Sequence, residues 1–204
     1  MENFVTHIYD QTPIGCGFFV GNYFITAGHV IDAGKSPRIS YNGKEYLLKE
    51  SDAIKICRMN ETNRDPNGFD YAIFKLDNIN SPLKIAKYKP THKQEFLCTV
   101  YNHKVCKNED MYENATNIFE RIDSINEQIE KLTTSVTVTD EHEGNFFVCE
   151  STDVLQQGNS GSPLFDKDNN VVGILHGGNI GTSKCVFMYT HILNDIINSV
   201  DNAD

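Results

Sequence analysis

The chain has 204 residues with 39% hydrophobic content, so it is long enough to bury a sizeable core, as one domain or as a unit of two β-barrels. Its formal charge of −10 argues against nucleic acid or an anionic membrane as the main partner. No apolar run reaches the length that spans a bilayer.

In chain order, Met1 to His7 lacks the basic and apolar regions of a secretory signal. The six cysteines, Cys16, Cys57, Cys98, Cys106, Cys149 and Cys185, are dispersed with no Cys-x-x-Cys pair. Together these favour reduced, buried thiols and a cytoplasmic setting, with no metal or cofactor. Residues 3–9 alternate weakly, and Gln11 to Gly15 reads as a turn. Gly17-Phe18-Phe19-Val20 and Tyr23-Phe24-Ile25-Thr26, separated by Gly21-Asn22, predict a hairpin that delivers His29 just past its end. Asn42-Gly43 between Ile39-Ser40-Tyr41 and Tyr46-Leu47-Leu48 predicts a second hairpin. Ala53 to Cys57 is a further strand. Phe69 to Leu76 is an apolar strand with one acid, Asp70, near its start. A carboxylate among Phe69, Tyr71 and Ile73 is costly to bury without a partner, and His29 is the natural one.

Residues 81–90 read as a crossing between two halves, and Phe96 to Tyr101 begins the second. Asn117-x-x-Glu120 has capping-box chemistry. Ile118, Ile122, Ile125, Ile129 and Leu132 then repeat at spacings of four, three, four and three, which predicts a helix over about 117–132. It is either a surface helix packed on the second half or a seam for a regulatory protein partner. Thr133 to Thr139, Asn145 to Glu150, Pro163 to Phe165, Val171 to His176 and Cys185 to Tyr189 read as strands. Ile192, Leu193, Ile196 and Ile197 predict a closing helix over about 190–199. Between these strands lies Gln157-Gly158-Asn159-Ser160-Gly161-Ser162. A serine between glycines is an ordinary turn, or a nucleophile if a base stands beside it.

Thr26-Ala27-Gly28-His29, Asp70-Tyr71-Ala72-Ile73 and Gly158-Asn159-Ser160-Gly161-Ser162-Pro163 together resemble the three catalytic signatures of the chymotrypsin/trypsin-like serine peptidases, in that family's order. The likeness runs from about Gly15 to Ile197. It implies an all-β fold of two six-stranded antiparallel barrels, 1–88 carrying His29 and Asp70 and 89–204 carrying Ser160, with the two helices as additions. It implies a Ser160-His29-Asp70 triad with an oxyanion hole at Gly158, Asn159 and Ser160. It implies peptide or protein substrates, and a specificity pocket walled by Val154, Leu155, Gln156, Leu175, His176, Gly177, Gly178 and Phe187, with Thr190 and His191 as further candidates. Val154 takes the place of the acid on the pocket floor of trypsins, so a basic P1 residue is not expected. His176 either lines this pocket or packs behind Asp70, because one residue of shift in a strand turns a side chain to the other face. Val30 and Gln156 stand where secreted relatives carry cysteines, so the familiar disulfides are absent. Asn159 replaces the acid that receives a freed N-terminus in activatable trypsins. The motif is closer to glutamyl-endopeptidase, HtrA-type and viral relatives. A catalytically idle binding module and a self-processing viral-type protease are the alternatives.

Overall fold

The computed structural model describes residues 2–58, 68–103, 129–141, 144–178 and 182–202. After a short 3₁₀ turn come β1 (Val5–Asp10), β2 (Thr12–Val20) and β3 (Tyr23–Thr26), then the one-turn helix α1 (Gly28–Ile31). β4 (Arg38–Tyr41), β5 (Lys44–Leu47), β6 (Ala53–Cys57) and β7 (Tyr71–Lys75) complete a seven-stranded sheet in the order β5-β4-β1-β2-β3-β7-β6. Local chemistry accounts for its hairpins. Val20 pairs with Tyr23, so Gly21-Asn22 is the whole loop between β2 and β3. Tyr41 pairs with Lys44, and Asn42 and Gly43 both take positive φ (51° and 75°), as a type I′ turn demands. The turn expected over Gln11 to Gly15 is tighter than that. Gln11 alone turns the chain, at φ 61°, and Thr12 already pairs with Asp10. Pro13 is tolerated because it sits near the start of β2, beside a register shift.

The second half contains β8 (Lys84–Ile85), β9 (Glu95–His103), β10 (Ile129–Glu141), β11 (Phe146–Ser151), β12 (Pro163–Phe165), β13 (Asn170–Gly178) and β14 (Lys184–Tyr189). The order β12-β9-β10-β11-β14-β13 closes on itself because β12 also pairs with β13, giving a six-stranded ring. The first sheet forms a half-barrel, so the chain has the all-β, chymotrypsin-like architecture. β8 adds to β13 in parallel, Lys84 beside Asn170 and Ile85 beside Val171, and so ties the crossing segment to the second sheet.

Two helix expectations need correction. Ile129–Leu132 is strand, pairing with His103 to Val100 of β9. The spacing of Ile129 and Leu132 suits a helix, but these residues continue into a β-branched run, and long-range pairing overrides local period. The rest of the expected helix, 117–128, lies outside the described residues. The closing helix, α2, runs Leu193–Asn202, starting later than expected. Thr190 lies just past the end of β14 instead, its hydroxyl donating to the Val171 carbonyl at 2.9 Å.

Two apolar clusters result. The ring is filled by Phe96, Val100, Val136, Phe147, Leu164, Val172, Leu175, Phe187 and their neighbours, with the Phe147 and Phe187 rings stacked 5.7 Å apart. The other cluster joins the first sheet to the outside of the ring. Phe165, Val171, Ile174, Met188 and Leu193 pack into it with Phe18, Phe24, Ile73 and Tyr71. That continuous burial holds the two sheets together, and the segments carrying His29, Asp70 and Ser160 meet along the join.

Candidate active site

His29 is presented by α1, directly after β3. A Cβ on Gly28 would lie 2.2 Å from the Cys57 carbonyl oxygen and 3.0 Å from Asp70 Oδ1. Only a residue without a side chain lets this turn sit so close to the end of β6 and to the carboxylate. Asp70 precedes β7 and is 1% exposed. Its Oδ1 accepts the His29 backbone N–H at 2.9 Å, and its Oδ2 faces His29 Nδ1 at 2.6 Å. Oδ2 also faces His176 Nδ1, at 2.7 Å. An ionised carboxylate only accepts, so each Nδ1 donates and each imidazole, when neutral, keeps its lone pair on Nε2. Burial alone would push the Asp70 carboxyl up, but the bonds from His176 and His29 outweigh it and hold the group well below the usual carboxylate range.

His176 reaches Asp70 because of a bulge. Leu175 pairs with Phe187 and Gly177 with Val186, leaving His176 as the extra residue of β13. Such a bulge re-aims the side chain. The ring turns to Asp70, standing edge-on to His29 at 5.4 Å and 84°, and 5.1 Å from the Phe146 ring. Of the two orientations left open by the sequence, the one behind Asp70 is found.

Ser160 sits in a loop bound on both sides. Its carbonyl accepts the Cys16 N–H at 2.8 Å, and Gly161 N–H donates to the Leu175 carbonyl at 2.8 Å. Gly161 has φ 92°, and a Cβ there would lie 2.0 Å from the Cys16 carbonyl oxygen. The loop is braced from below by Asn159, 1% exposed. Its Oδ1 accepts the Gln156 N–H at 2.7 Å, and its Nδ2 donates to the Tyr101 carbonyl at 2.9 Å. The Ser162 hydroxyl donates to the Asn159 carbonyl at 2.6 Å. The Ser160 hydroxyl donates to the main-chain carbonyl of His176 at 3.2 Å, not to the His29 ring.

A cleft of about 460 Å³ opens beside Ser160 and Gly158. Val154, Leu155, Gln156, Leu175, Gly177 and Gly178 line it, together with Gln157, Lys184 and Cys185, which the sequence did not single out. Two of the expected wall residues lie elsewhere. Phe187 is fully buried in the ring core, and the His176 ring is committed to Asp70. Thr190 is buried against Val171, and His191 stands 6.1 Å from the Tyr189 ring. Lys184 places a cation in the cleft at the start of β14. Only the register of β13 on β14, Gly178 opposite Cys185, shows that this position reaches the cleft.

Comparison with known proteins agrees with this fold. The family model described as a trypsin-like peptidase domain matches residues 15–174. No curated protein sequence matches. Among solved structures, neuropsin, a serine protease of mouse brain, superposes with a TM-score of 0.66 at 17% identity, covering 98% of this chain and 94% of that one. The active form of the Rv3671c protease of M. tuberculosis gives 0.63 at 15% identity, covering 95% and 79%. A Glu endopeptidase gives 0.62 at 15% identity, covering 98% and 90%.

Proposed function

The chain belongs to the trypsin-like peptidase family, and on that premise we propose that it is a serine endopeptidase working through Ser160, His29 and Asp70. The observation that carries this reading is the Asp70 carboxylate, buried and holding both the His29 backbone and its Nδ1. It fixes the tautomer that leaves His29 Nε2 basic. This reading requires Ser160 Oγ to leave the His176 carbonyl and face His29 Nε2. The imidazole takes the hydroxyl proton as Oγ attacks the scissile carbonyl. It then gives the proton to the leaving amine, while ionised Asp70 stabilises the imidazolium. Water attacks the acyl-enzyme by the same route in reverse. The amides of Gly158 and Ser160 receive the oxyanion, with Asn159 bracing the loop between them. The half built on the first sheet supplies His29 and Asp70, and the half built on the ring, which begins with β8 before the boundary expected at 88/89, supplies Ser160.

The cleft beside Ser160 takes the P1 side chain. Its apolar walls, Val154, Leu155 and Leu175, and the cation of Lys184 disfavour Lys or Arg there. Five described cysteines are free thiols, which suits a reducing, cytoplasmic setting. The Ser160 bond to the His176 carbonyl also suits a second reading, an idle protease-fold binding module.

Labelling with a fluorophosphonate, followed by intact mass, separates the two. One adduct on the wild type and none on Ser160→Ala supports the peptidase. Folded wild type that takes no adduct supports the idle module. A peptide library then reports whether cleavage occurs in trans and at which P1.

A further inference from the structure

The buried carboxylate oxygen that orients His29 is shared with a second imidazole. A ring nitrogen of His29, a carboxylate oxygen of Asp70 and a ring nitrogen of His176 lie within 4.8 Å of one another, on three separate segments of chain. Two imidazole nitrogens and a carboxylate oxygen are a donor set for zinc-like divalent ions. The imidazoles are partly open to solvent, with side-chain exposures of 40% for His29 and 26% for His176, while the Asp70 side chain is fully buried, so an ion reaches the carboxylate as the rings move apart. We propose that His29, Asp70 and His176 form an inhibitory site for one Zn²⁺-type ion, with solvent as the fourth ligand.

The chemistry follows from which nitrogen is used. Both Nδ1 atoms now carry protons and donate to Oδ2 at 2.6 and 2.7 Å. Neighbouring ligands of a tetrahedral zinc ion stand roughly 3.3 Å apart, given metal–ligand bonds near 2.0–2.1 Å. Binding therefore breaks both Nδ1–H···Oδ2 bonds and opens the cluster by about 0.6 Å on each side. Each imidazole stays neutral: it loses the Nδ1 proton to water and takes one up at Nε2. Two metal–nitrogen bonds replace two hydrogen bonds, with no net proton change. His29 is then left with Nε2–H, which cannot accept the Ser160 proton. The ion switches off the base without touching the serine.

Metal binding rests on the cluster alone, and its inhibitory effect rests on the serine-endopeptidase reading. The test separates them by using full-length Ser160→Ala with zinc chloride as the only ligand. Calorimetry is expected to give one ion per chain. In ¹⁵N-histidine spectra the Nδ1 resonances of two rings should move together. His176→Gln in the same background keeps a donor for Asp70 and removes a ligand, and should weaken binding at least about tenfold, no less than loss of a supporting group costs other metal sites. Unchanged affinity in His176→Gln overturns the site, as do two Nδ1 resonances unmoved by saturating zinc. Should His176→Gln not fold, the spectra of Ser160→Ala decide alone. In wild type, zinc should suppress fluorophosphonate labelling and EDTA should restore it. Equal labelling with and without saturating zinc overturns the inhibitory role. Moved Nδ1 resonances in a wild type that never labels would leave the metal site standing and remove the peptidase reading.

Discussion

Replacing Gly161 with alanine tests the packing between the Ser160 loop and the first sheet. At φ 92° an L side chain is strained, which costs about 1–2 kcal/mol. The new Cβ would also stand 2.0 Å from the Cys16 carbonyl oxygen and 2.5 Å from Thr26 Oγ1. Neither neighbour is free to retreat. The Thr26 hydroxyl donates to that same carbonyl at 2.7 Å, and the Cys16 N–H is bonded to Ser160 O at 2.8 Å. Forced overpacking of this kind costs about 1–3 kcal/mol more. Gly43→Ala is the matched control: its φ is 75°, but a Cβ there meets nothing within 4 Å. It should show the strain alone. Urea unfolding of the pair should therefore differ by about 2 kcal/mol, with unchanged slopes. In a chain of 204 residues that is about 4–8 °C in melting temperature. Gly161→Ala should also slow labelling of Ser160, and Gly43→Ala should not. Equal losses in the two variants, or a Gly161→Ala protein labelled at the wild-type rate, would refute the packing argument.

Asp70→Asn removes the charge that both imidazoles share and turns one donor toward them. With the wrong His29 tautomer, the rate should fall by about 10⁴, as in analogous triads, measured as kcat/KM or as labelling rate. Asn159→Ala leaves the Gln156 N–H and the Tyr101 carbonyl without their partner. It should cost about 2–3 kcal/mol in urea unfolding. Asp166 accepts from Tyr88 Oη at 2.7 Å and from the Asp168 and Asn170 amides at 2.9 Å each. Burial raises its carboxyl, but these bonds together lower it below the ordinary value. Its stabilisation is thus full above a pH of about 4, the unfolded value, and disappears as pH falls through the lower folded value. The stability gap between wild type and Asp166→Asn should be flat from pH 5 to 7 and close below about pH 4. Reductant should leave the melting temperature unchanged, since the described cysteines are thiols; a fall would mean a disulfide carries the fold.

What could be read from the sequence was what local chemistry decides. Asn42-Gly43 makes a type I′ turn in nearly any context, and it does so here. The motifs around His29, Asp70 and Ser160 pointed to the fold, and the carboxylate among Phe69, Tyr71 and Ile73 found its imidazole partner. What could not be read depends on register between distant strands. The bulge at His176 exists only relative to β14, and it alone decides that the ring meets Asp70 rather than the cleft. Lys184 reaches the cleft for the same reason. Ile129 and Leu132 satisfy a helical stripe, and only the presence of β9 alongside makes them strand.

The ring of the second half is closed by its shortest strand, the three residues of β12, all of which pair with β13 and two of which, Leu164 and Phe165, pair with β9. Those residues follow Ser160 almost at once, while β9 was synthesised far earlier. Pairings between such distant segments carry a high loop-closure entropy and tend to form late. The loop that presents Ser160 is therefore among the last parts of the molecule to take shape, after His29 and Asp70 can already have met on the first sheet. A chain emerging from the ribosome carries Ser160 on an unpaired segment until closure is done. Timing of assembly would then keep Ser160 apart from His29 and Asp70 until the ring has closed.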